Sequence, residues 1–297
     1  MRRFLALSRS AHGVLDIAMP GFAALLWLGN FPSWPVLALS LGAAIAGYTA
    51  IYALNDIVGA PDDREKVAGG LVPGYAVEAS VMRYPIAQKL ISINGALAWF
   101  FLWMAAAIVC IWLLNPRILV ILLAAAILEI VYVKLFKVTW WRTLVSGLVK
   151  SAGPLAAVYA VVEQPHLPWL AVMLAWLMLW EVGGQNIPAD WNDIDEDRRV
   201  GGSTIPLVFG PRAASWAILV LLTGTVSLSL VLPVMSPLPL GWQFRIAAAA
   251  AGILLLLAPA LRLARTLDGR DAARLFDHSS LYPLAMLVIM TVVLIVR

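Results

Sequence analysis

Residues 169–197 read WLAVMLAWLMLWEVGGQNIPADWNDIDED, an apolar stretch that continues directly into an acidic one. The apolar part carries no charge, so a helix built from it has no polar face and must be buried in protein or in lipid. Four polar side chains then follow at spacings of four, three and four: Asn186, Asp190, Asp193 and Asp197. This spacing places them on one face of a continuing helix. The segment therefore predicts a membrane-embedded helix that ends in a stripe of carboxylates.

The composition of the whole chain indicates the same environment. Of its 297 residues, 62% are hydrophobic and 13% are charged, whereas a soluble domain carries about 25% charged residues. This balance excludes an ordinary soluble enzyme. The single cysteine, Cys110, lies inside an apolar run, which excludes a disulfide framework and a cysteine-ligated metal site.

Apolar stretches long enough to cross a bilayer recur along the chain. A membrane span needs about 20 predominantly apolar residues, and helices are expected because lipid offers the backbone no hydrogen bonds. Nine segments fit: 15–31, 36–55, 91–114, 118–133, 143–162, 169–185, 213–232, 246–263 and 281–296. We therefore predict an all-α integral membrane protein, a single domain over residues 1–297, whose nine transmembrane helices form one bundle around a central cavity.

Lysine and arginine are distributed very unevenly between the two sides of these segments. With a cytoplasmic N-terminus, 17 of the 21 fall in cytoplasmic segments, 3 fall on the other side, and Lys150 lies within a span. Because cytoplasmic loops are enriched in these residues, we predict a multi-pass protein of the cell's inner or plasma membrane with its acidic segments on the cytoplasmic side. No basic patch interleaved with aromatic residues indicates a nucleic-acid partner, and the oligomeric state stays open.

A second acidic segment follows the apolar residues 36–55. Asn55, Gly59 and Asp63 stand at i, i+4 and i+8, and they would share one face of a continued helix. Gly59 and Pro61 are expected to distort that helix. For this segment alone, a polar loop that ends a span is the alternative interpretation.

The residue types in both acidic segments favour one kind of ligand. Asparagine and carboxylate oxygens with no histidine or cysteine nearby suit Mg²⁺ better than zinc or copper. Two such segments at one cavity would hold a diphosphate through magnesium ions. Lys137 and Arg142, between the fourth and fifth spans, are expected to contact the diphosphate oxygens. The alternatives are a solvated acidic loop compensated by its own arginines and, for Lys137, a role in membrane anchoring.

The first acidic segment resembles a motif of the UbiA superfamily of intramembrane prenyltransferases, and the resemblance covers essentially the whole chain. In the motif Asn-Asp-x-x-Asp-x-x-x-Asp, the matching residues are Asn55, Asp56 and Asp63, while Gly59 replaces the middle aspartate. Asp62 is the candidate to supply the missing carboxylate. The Arg-Pro signature that usually follows is replaced by residues 71–74, Leu-Val-Pro-Gly. These departures indicate an atypical branch of the family.

The second acidic segment resembles the family's other motif, Asp-x-x-x-Asp followed by Arg and a Gly-x-x-Thr-x-Pro stretch. Asp193, Asp197 and Arg198 match its first part, and residues 201–206 match the rest. Between the fourth and fifth spans, the family pattern Tyr-x-x-x-Lys-Arg-x-Thr is matched at Tyr132, Lys137 and Thr139, with Phe136 at the lysine position.

The resemblance implies nine helices and Mg²⁺-dependent transfer of an isoprenyl group from a prenyl diphosphate to an aromatic or other lipophilic acceptor. The residues expected to act in catalysis are Asp193, Asp197 and Lys137. Those expected to contact substrate are Asn55, Asp56, Asp190, Asn186, Tyr132, Arg142 and Arg198. Those expected to ligate magnesium are Asn55, Asp63, Asp62, Asp193 and Asp197. Aromatic rings expected to shield an allylic cation are Tyr48, Tyr52, Tyr132, Trp180 and Trp191.

Other functions stay open at this point. A membrane-embedded terpene cyclase or lyase on the same fold would ionise the same diphosphate without a second substrate, and a degenerate relative would bind it without turnover. An ion-coupled transporter usually places its ionisable groups near the midplane, whereas these acids gather at one face. The Asp-Gly-x-x-Ala-Arg pattern of CDP-alcohol phosphotransferases is absent from the sequence.

Three ionisable residues lie inside predicted spans, where such groups are functional candidates by default. They are Glu129, Lys150 and Glu181. Lys150 is expected to pair with Glu129 or Glu181 within the bundle. Asp16 lies near a span end, where solvation is the expected state.

Overall fold

Helices follow one another along the chain in the computed structural model, which describes residues 2–9, 13, 15–71 and 82–296. Within those residues no strand occurs. In chain order the α-helices are α1 (Arg2–Leu7), α2 (Ala18–Leu28), α3 (Trp34–Ala68), α4 (Ile93–Leu114), α5 (Ile118–Lys134), α6 (Arg142–Val161), α7 (Leu167–Trp180), α8 (Ile187–Asn192), α9 (Ile194–Arg199), α10 (Ile205–Ser229), α11 (Trp242–Gly252), α12 (Ala258–Thr266) and α13 (Gly269–Val296). The prediction of an all-α membrane protein is confirmed.

Seven helical stretches are long and apolar enough to cross a membrane. They are Trp34–Ala68, Ile93–Leu114, Arg142–Val161, Leu167–Asn192, Ile205–Ser229, Trp242–Thr266 and Gly269–Val296. Two further predicted spans lie on α2 and α5, which have 11 and 17 residues. The chain therefore forms a multi-pass membrane protein, while the number of nine spans and the cytoplasmic N-terminus stay predictions.

The long helices pack into one bundle. α2 packs against α6, α5 packs against both α6 and α3, and α3 packs along α4. On the other side, α7 packs against α6 and α10, and the last helix, α13, returns to pack against α2. The bundle contains a cavity of about 680 Å³. Because apolar side chains cover both the packed and the lipid-facing sides of these helices, the bundle has no separate polar skin over its middle.

α3 is a single helix of 35 residues that contains both Gly59 and Pro61. The distortion predicted at these two positions does not end the helix, since helical backbone continues to Ala68. At 1.5 Å per residue the helix is about 52 Å long, against about 30 Å for the hydrocarbon core of a bilayer. Contacts beyond Pro61 hold this extension in place, including the ion pair between Lys66 and Asp197. The first acidic segment is thus a helix and not a polar loop.

The second acidic segment has a more complex backbone than one continuous α-helix. After α7, residues Glu181–Asn186 form a π-helical turn, α8 follows, and the backbone breaks at Asp193 before α9. Gly183 permits this turn, because a Cβ there would lie 2.8 Å from the Cβ of Leu221 on α10. The expectation of one unbroken helical face is wrong, yet all four stripe residues line the cavity.

Candidate active site

The cavity has a charged end and an apolar end. Polar lining residues from the two acidic segments and from α5 and α6 include Asn55, Asp62, Asp63, Lys66, Tyr132, Arg142, Asn186, Asp190, Asp193 and Asp197. α5 passes along both ends, with Ile118 at the apolar end and Tyr132 at the charged end. These two residues are 14 positions apart, or about 21 Å along the helix. The cavity can therefore take a long molecule with an anionic head and an apolar tail.

A buried ion pair between Arg142 and Asp190 stands at the charged end. Arg142 donates to Asp190 Oδ1 at 3.1 Å and to the Tyr132 hydroxyl at 2.8 Å. The guanidinium also lies over the Tyr132 ring, 4.4 Å from its centroid. Within the described chain, Asp190 Oδ2 has no hydrogen-bond donor. Asp190 therefore keeps one buried oxygen that a cation or a donor on a ligand can satisfy.

Asn186 adds a neutral polar group next to this pair. Its amide nitrogen donates to the Tyr132 hydroxyl at 3.1 Å, and its Oδ1 accepts from Thr143 Oγ1 at 2.7 Å. Both contacts fix the orientation of the amide. Tyr132 is thus held from two sides, by Asn186 and by Arg142.

The carboxylates of α9 and of the backbone break before it are paired with basic side chains. Lys66 Nζ lies 2.7 Å from Asp197 Oδ1 and 4.7 Å from the centroid of the Phe136 ring. Arg83 donates to both carboxylate oxygens of Glu196, at 3.1 and 2.9 Å, and lies 3.2 Å from Asp193 Oδ1. Burial raises the pKa of the Asp197 carboxyl, and Lys66 opposes that rise. The second acidic segment is therefore neutralised largely by cations from other parts of the chain.

The first acidic segment presents one face of α3 to the cavity. Asn55, Gly59, Asp63 and Lys66 all line it. The Asn55 amide donates to Glu129 on α5, which orients its oxygen away from that carboxylate. Lys137 lies at the edge of this face, 3.0 Å from Asp62 Oδ1 and 2.7 Å from Glu65 Oε2. Hydrogen bonds to Glu65 and Asp62 raise the pKa of Lys137.

The predicted site residues fall into two groups in the structure. Those that line the cavity together are Asn55, Asp62, Asp63, Tyr132, Arg142, Asn186, Asp190, Asp193 and Asp197. Asp56 is buried outside the lining and lies 3.8 Å from Arg9. Lys137 sits at the edge of the α3 face, and Arg198 is exposed beside Asp195 at 3.7 Å. The structure thus brings together nine of the predicted residues and sets three apart from them.

Lys66, Arg83 and Arg9 are charged residues at this end that sequence reasoning missed. For Lys66 a signal was present, because it follows Asp63 by three positions and so extends the helical face of Asn55, Gly59 and Asp63. Arg83 has no such signal, since it lies in an irregular segment far from the second motif. Of the predicted aromatic shield, Tyr48, Tyr52 and Tyr132 line the cavity, whereas Trp180 and Trp191 are packed into the hydrophobic core. Residues 71–74, which replace the family's Arg-Pro signature, lie outside the described residues except for residue 71.

Deeper in the bundle, five side chains form what we call the inner polar cluster: Asp16, Tyr52, Ser146, Lys150 and Glu181. Lys150 Nζ donates to Asp16 Oδ2 at 2.5 Å and to the Tyr52 hydroxyl at 2.7 Å, and Tyr52 donates to Asp16. One helical turn before Lys150, Ser146 donates to Glu181 Oε1 at 2.8 Å. The predicted pairing of Lys150 with Glu129 or Glu181 is wrong, because its ion-pair partner is Asp16. The expected solvation of Asp16 is also wrong, since Asp16 is 4% exposed.

The donor set at the charged end fits magnesium only as a shared site. Within the described part of the chain, no group of three or more histidine, cysteine or acidic residues could hold a metal by itself. The cavity instead offers single carboxylates and an asparagine, together with the unsatisfied Oδ2 of Asp190. Mg²⁺ retains several waters and is commonly bound through one or two carboxylates plus substrate phosphates. The residues present fit that mode of binding.

The sequence and the fold were compared with known proteins. The UbiA prenyltransferase family matches residues 17–286, and the sequence matches no curated protein sequence. Several solved structures share the fold, among them the following three. A UbiA homolog from Aeropyrum pernix K1 in its apo state has a TM-score of 0.73 and 20% identity, covering 96% of this chain and 98% of that one. A digeranylgeranylglyceryl phosphate synthase has a TM-score of 0.70 and 16% identity, with 99% and 98% covered. A UbiA homolog from Archaeoglobus fulgidus bound to GPP and Mg²⁺ has a TM-score of 0.68 and 15% identity, with 97% and 99% covered.

The buried pair of Arg142 and Asp190 gives a prediction about stability. Asp190→Ala leaves the Arg142 guanidinium buried without its carboxylate, so the protein should lose about 3–5 kcal/mol of stability. Asp195→Ala is the control, because Asp195 is 68% exposed and its loss should cost less than about 1 kcal/mol. Unfolding in detergent, followed by tryptophan fluorescence, measures both. Equal stability of the two variants would show that the pair does not hold this end of the bundle.

Proposed function

The chain belongs to the UbiA prenyltransferase family, and we propose that it transfers an isoprenyl group from a prenyl diphosphate to an aromatic or other lipophilic acceptor. The observation that carries this proposal is the two-ended cavity, with acidic and basic groups at one end and alkyl side chains at the other. A prenyl diphosphate has the same division between an anionic head and an apolar tail. We take residues 1–297 as one such domain.

The diphosphate would bind at the charged end. Arg142 and Lys66 line the cavity there and carry hydrogen-bond donors for phosphate oxygens. Arg83 and Lys137 flank the same end and are held in place by carboxylates. A dianionic or trianionic head would compete with those carboxylates for the same cations, so its binding would loosen ion pairs such as Lys66 with Asp197.

Magnesium supplies charge neutralisation of the diphosphate leaving group when it is bound. Residues that would hold it are Asn55, Asp63, Asp193 and Asp197, with Asp62 next to the position of Gly59. Two solved structures of the Archaeoglobus fulgidus UbiA homolog contain Mg²⁺ together with GPP or DMAPP. The same pairing of cofactor and substrate suits the oxygen-only donor set of this chain.

Catalysis would depend on stabilising the leaving group while keeping water from the prenyl cation. Asp193 and Asp197 would position the cation-bound diphosphate, and Arg142 would stabilise its developing charge. The Tyr48, Tyr52 and Tyr132 rings line the next stretch of the cavity, where their faces can shield a positive carbon. The tail would then extend past Leu122 toward Ile118. An electron-rich acceptor would take the prenyl group at the boundary between these two regions.

We further propose that the charged end faces the cytoplasm and that the enzyme resides in the cell's inner or plasma membrane. The support is the excess of lysine and arginine in the loops on that side. Lys134, Lys137 and Arg142 lie at this end of α5 and α6. Arg117 and Arg245 lie at the opposite ends of their helices.

Product analysis tests the proposed reaction. Purified protein is incubated with geranyl, farnesyl or geranylgeranyl diphosphate, with and without aromatic and lipid acceptors, and with or without Mg²⁺. We expect a prenylated acceptor by mass spectrometry, formed only with both substrates and with Mg²⁺. A cyclic hydrocarbon from the diphosphate alone would show a cyclase instead, and uptake without any product would favour a transporter.

The second acidic segment provides the sharpest pair of variants. Asp193→Asn and Asp197→Asn should each slow diphosphate release by about 10²–10³-fold, because each removes charge that positions the leaving group. Asp195 lies between them in sequence, and its side chain is exposed. Asp195→Asn should therefore release diphosphate at the wild-type rate. A coupled phosphate assay measures the rates. Wild-type rates in both Asp193 and Asp197 variants would reject the assigned site.

Gly59 offers a gain-of-function test. A Cβ at this position would lie 3.4 Å from Asp63 Oδ2 and 3.6 Å from Val133 Cγ1, so an aspartate fits without displacing the helix. Gly59→Asp should increase Mg²⁺ affinity by about tenfold in the presence of a diphosphate analogue, the scale of one altered ligand interaction. Gly59→Asn adds similar bulk without charge and should increase the Mg²⁺ affinity less. Unchanged affinity in the aspartate variant would mean that Asp62 or water already fills the position.

A further inference from the structure

Glu181 has a buried carboxylate oxygen without a hydrogen-bond partner. Its Oε1 accepts from Ser146, but Oε2 has no donor within the described residues. The side chain is 3% exposed and lines the cavity. A buried acceptor left unsatisfied costs free energy, which a donor on a ligand would recover. The oxygen therefore marks a point at which a hydroxyl or an N–H group can bind.

The position of Glu181 separates this point from the diphosphate end. Ser146, its partner, lies one helical turn beyond Arg142 on α6, and Lys150 lies one turn farther. These steps correspond to about 6 and 12 Å along the helix axis. Glu181 itself precedes Asp190 by nine residues on the adjoining segment. A molecule at the inner polar cluster would thus lie alongside the start of a prenyl chain whose head is at Arg142.

The charge around this point favours neutral ligands. Asp16, Glu129 and Glu181 bring three carboxyl groups to this depth of the bundle, and Lys150 brings one ammonium group. Arg142 faces Asp190, whereas Arg9 lies near Asn55 and Asp56 and 5.7 Å from the centroid of the Tyr52 ring, where it offsets one of these carboxyl groups. A carboxylate or phosphate brought beside Glu181 would meet an excess of negative charge in a medium of low dielectric constant. An uncharged hydroxyl would meet an acceptor that lacks a donor.

We propose that the inner polar cluster binds the hydroxyl group of an uncharged acceptor, with Glu181 Oε2 accepting its hydrogen bond, and that it excludes acceptors bearing a carboxylate or phosphate. This inference rests on the proposed prenyl transfer, for which it names the class of second substrate, a neutral phenol or alcohol. Hydrogen bonds join Lys150, Tyr52 and Asp16 to one another. Glu181 Oε2 is therefore the acceptor available to a ligand.

A matched pair of ligands tests the proposal on the wild-type protein. 2-Naphthol and 2-naphthoate share a ring system and differ in the group that would meet Glu181. We expect 2-naphthol to bind at least about tenfold more tightly by titration calorimetry in detergent, the effect of satisfying one buried acceptor. Equal affinity, or tighter binding of 2-naphthoate, would overturn the inference.

Two variants test the residue itself. Glu181→Gln should weaken 2-naphthol binding about tenfold and strengthen 2-naphthoate binding, because it keeps the shape but replaces the accepting oxygen with an amide nitrogen that donates. Glu163→Gln makes the same chemical change on an exposed residue between α6 and α7 and should alter neither affinity. A Glu181→Gln variant with unchanged affinities for both ligands would remove Glu181 from the site. If that variant does not fold, the ratio of the 2-naphthol and 2-naphthoate affinities of the wild-type protein still tests the proposal.

Binding of geranyl S-thiolodiphosphate with Mg²⁺, measured in the same samples, separates this inference from the proposed function. We expect Glu181→Gln to retain wild-type affinity for this analogue, because Glu181 lies away from the charged end. Loss of affinity for both the analogue and 2-naphthol would indicate general damage and would contradict a local role. No analogue binding by the wild-type protein would reject the proposed function, whereas the naphthol ratio would still test the inner polar cluster.

Discussion

Charge burial within an apolar bundle is the constraint on which the rest of this structure depends. An isolated ion in a medium of low dielectric constant is very costly, so each buried charge requires a partner. The bundle meets this requirement with pairs that join distant parts of the chain: Arg142 with Asp190, Lys66 with Asp197, and Lys150 with Asp16. These pairs fix how α2, α3, α6 and the segment after α7 face one another, and they surround the cavity while doing so.

The same pairs explain how the site proposed for an anion can be rich in acids. At the charged end Asp62, Asp190, Asp193 and Asp197 each form an ion pair with a lysine or arginine, so the acidic segments lose much of their mutual repulsion. A ligand that brings both phosphate and a divalent cation can replace these partners without leaving net charge unpaired. Binding of either one alone would leave an excess of one sign. Joint binding of the two is therefore favoured by the architecture of the site.

The sequence alone was sufficient to predict the apolar spans and most residues of the charged end, because hydropathy and helical spacing are local properties. Helical spacing identified Asn55, Asp63, Asp190 and Asp197 as candidate site residues. The same spacing would also have identified Lys66. Partners separated by many residues could not be found in this way. Lys150 meets Asp16 across 134 positions, and only the return of α2 against α6 brings them together. Backbone continuity through Pro61 and the turn at Glu181–Asn186 likewise depend on tertiary packing, which overrides local preference.

The length of α3 determines how the concentration of each proposed substrate should be expressed. Its acidic end extends beyond the thickness of the hydrocarbon layer, while the apolar end of the same cavity lies among the lipid-facing helices. A charged substrate therefore reaches the site from water, where molarity describes its supply. The lipophilic acceptor proposed above would reach it from the bilayer, where the relevant quantity is the number of molecules per lipid. Adding inert lipid at constant volume would dilute an acceptor held in the bilayer, whereas a substrate dissolved in water would keep its concentration.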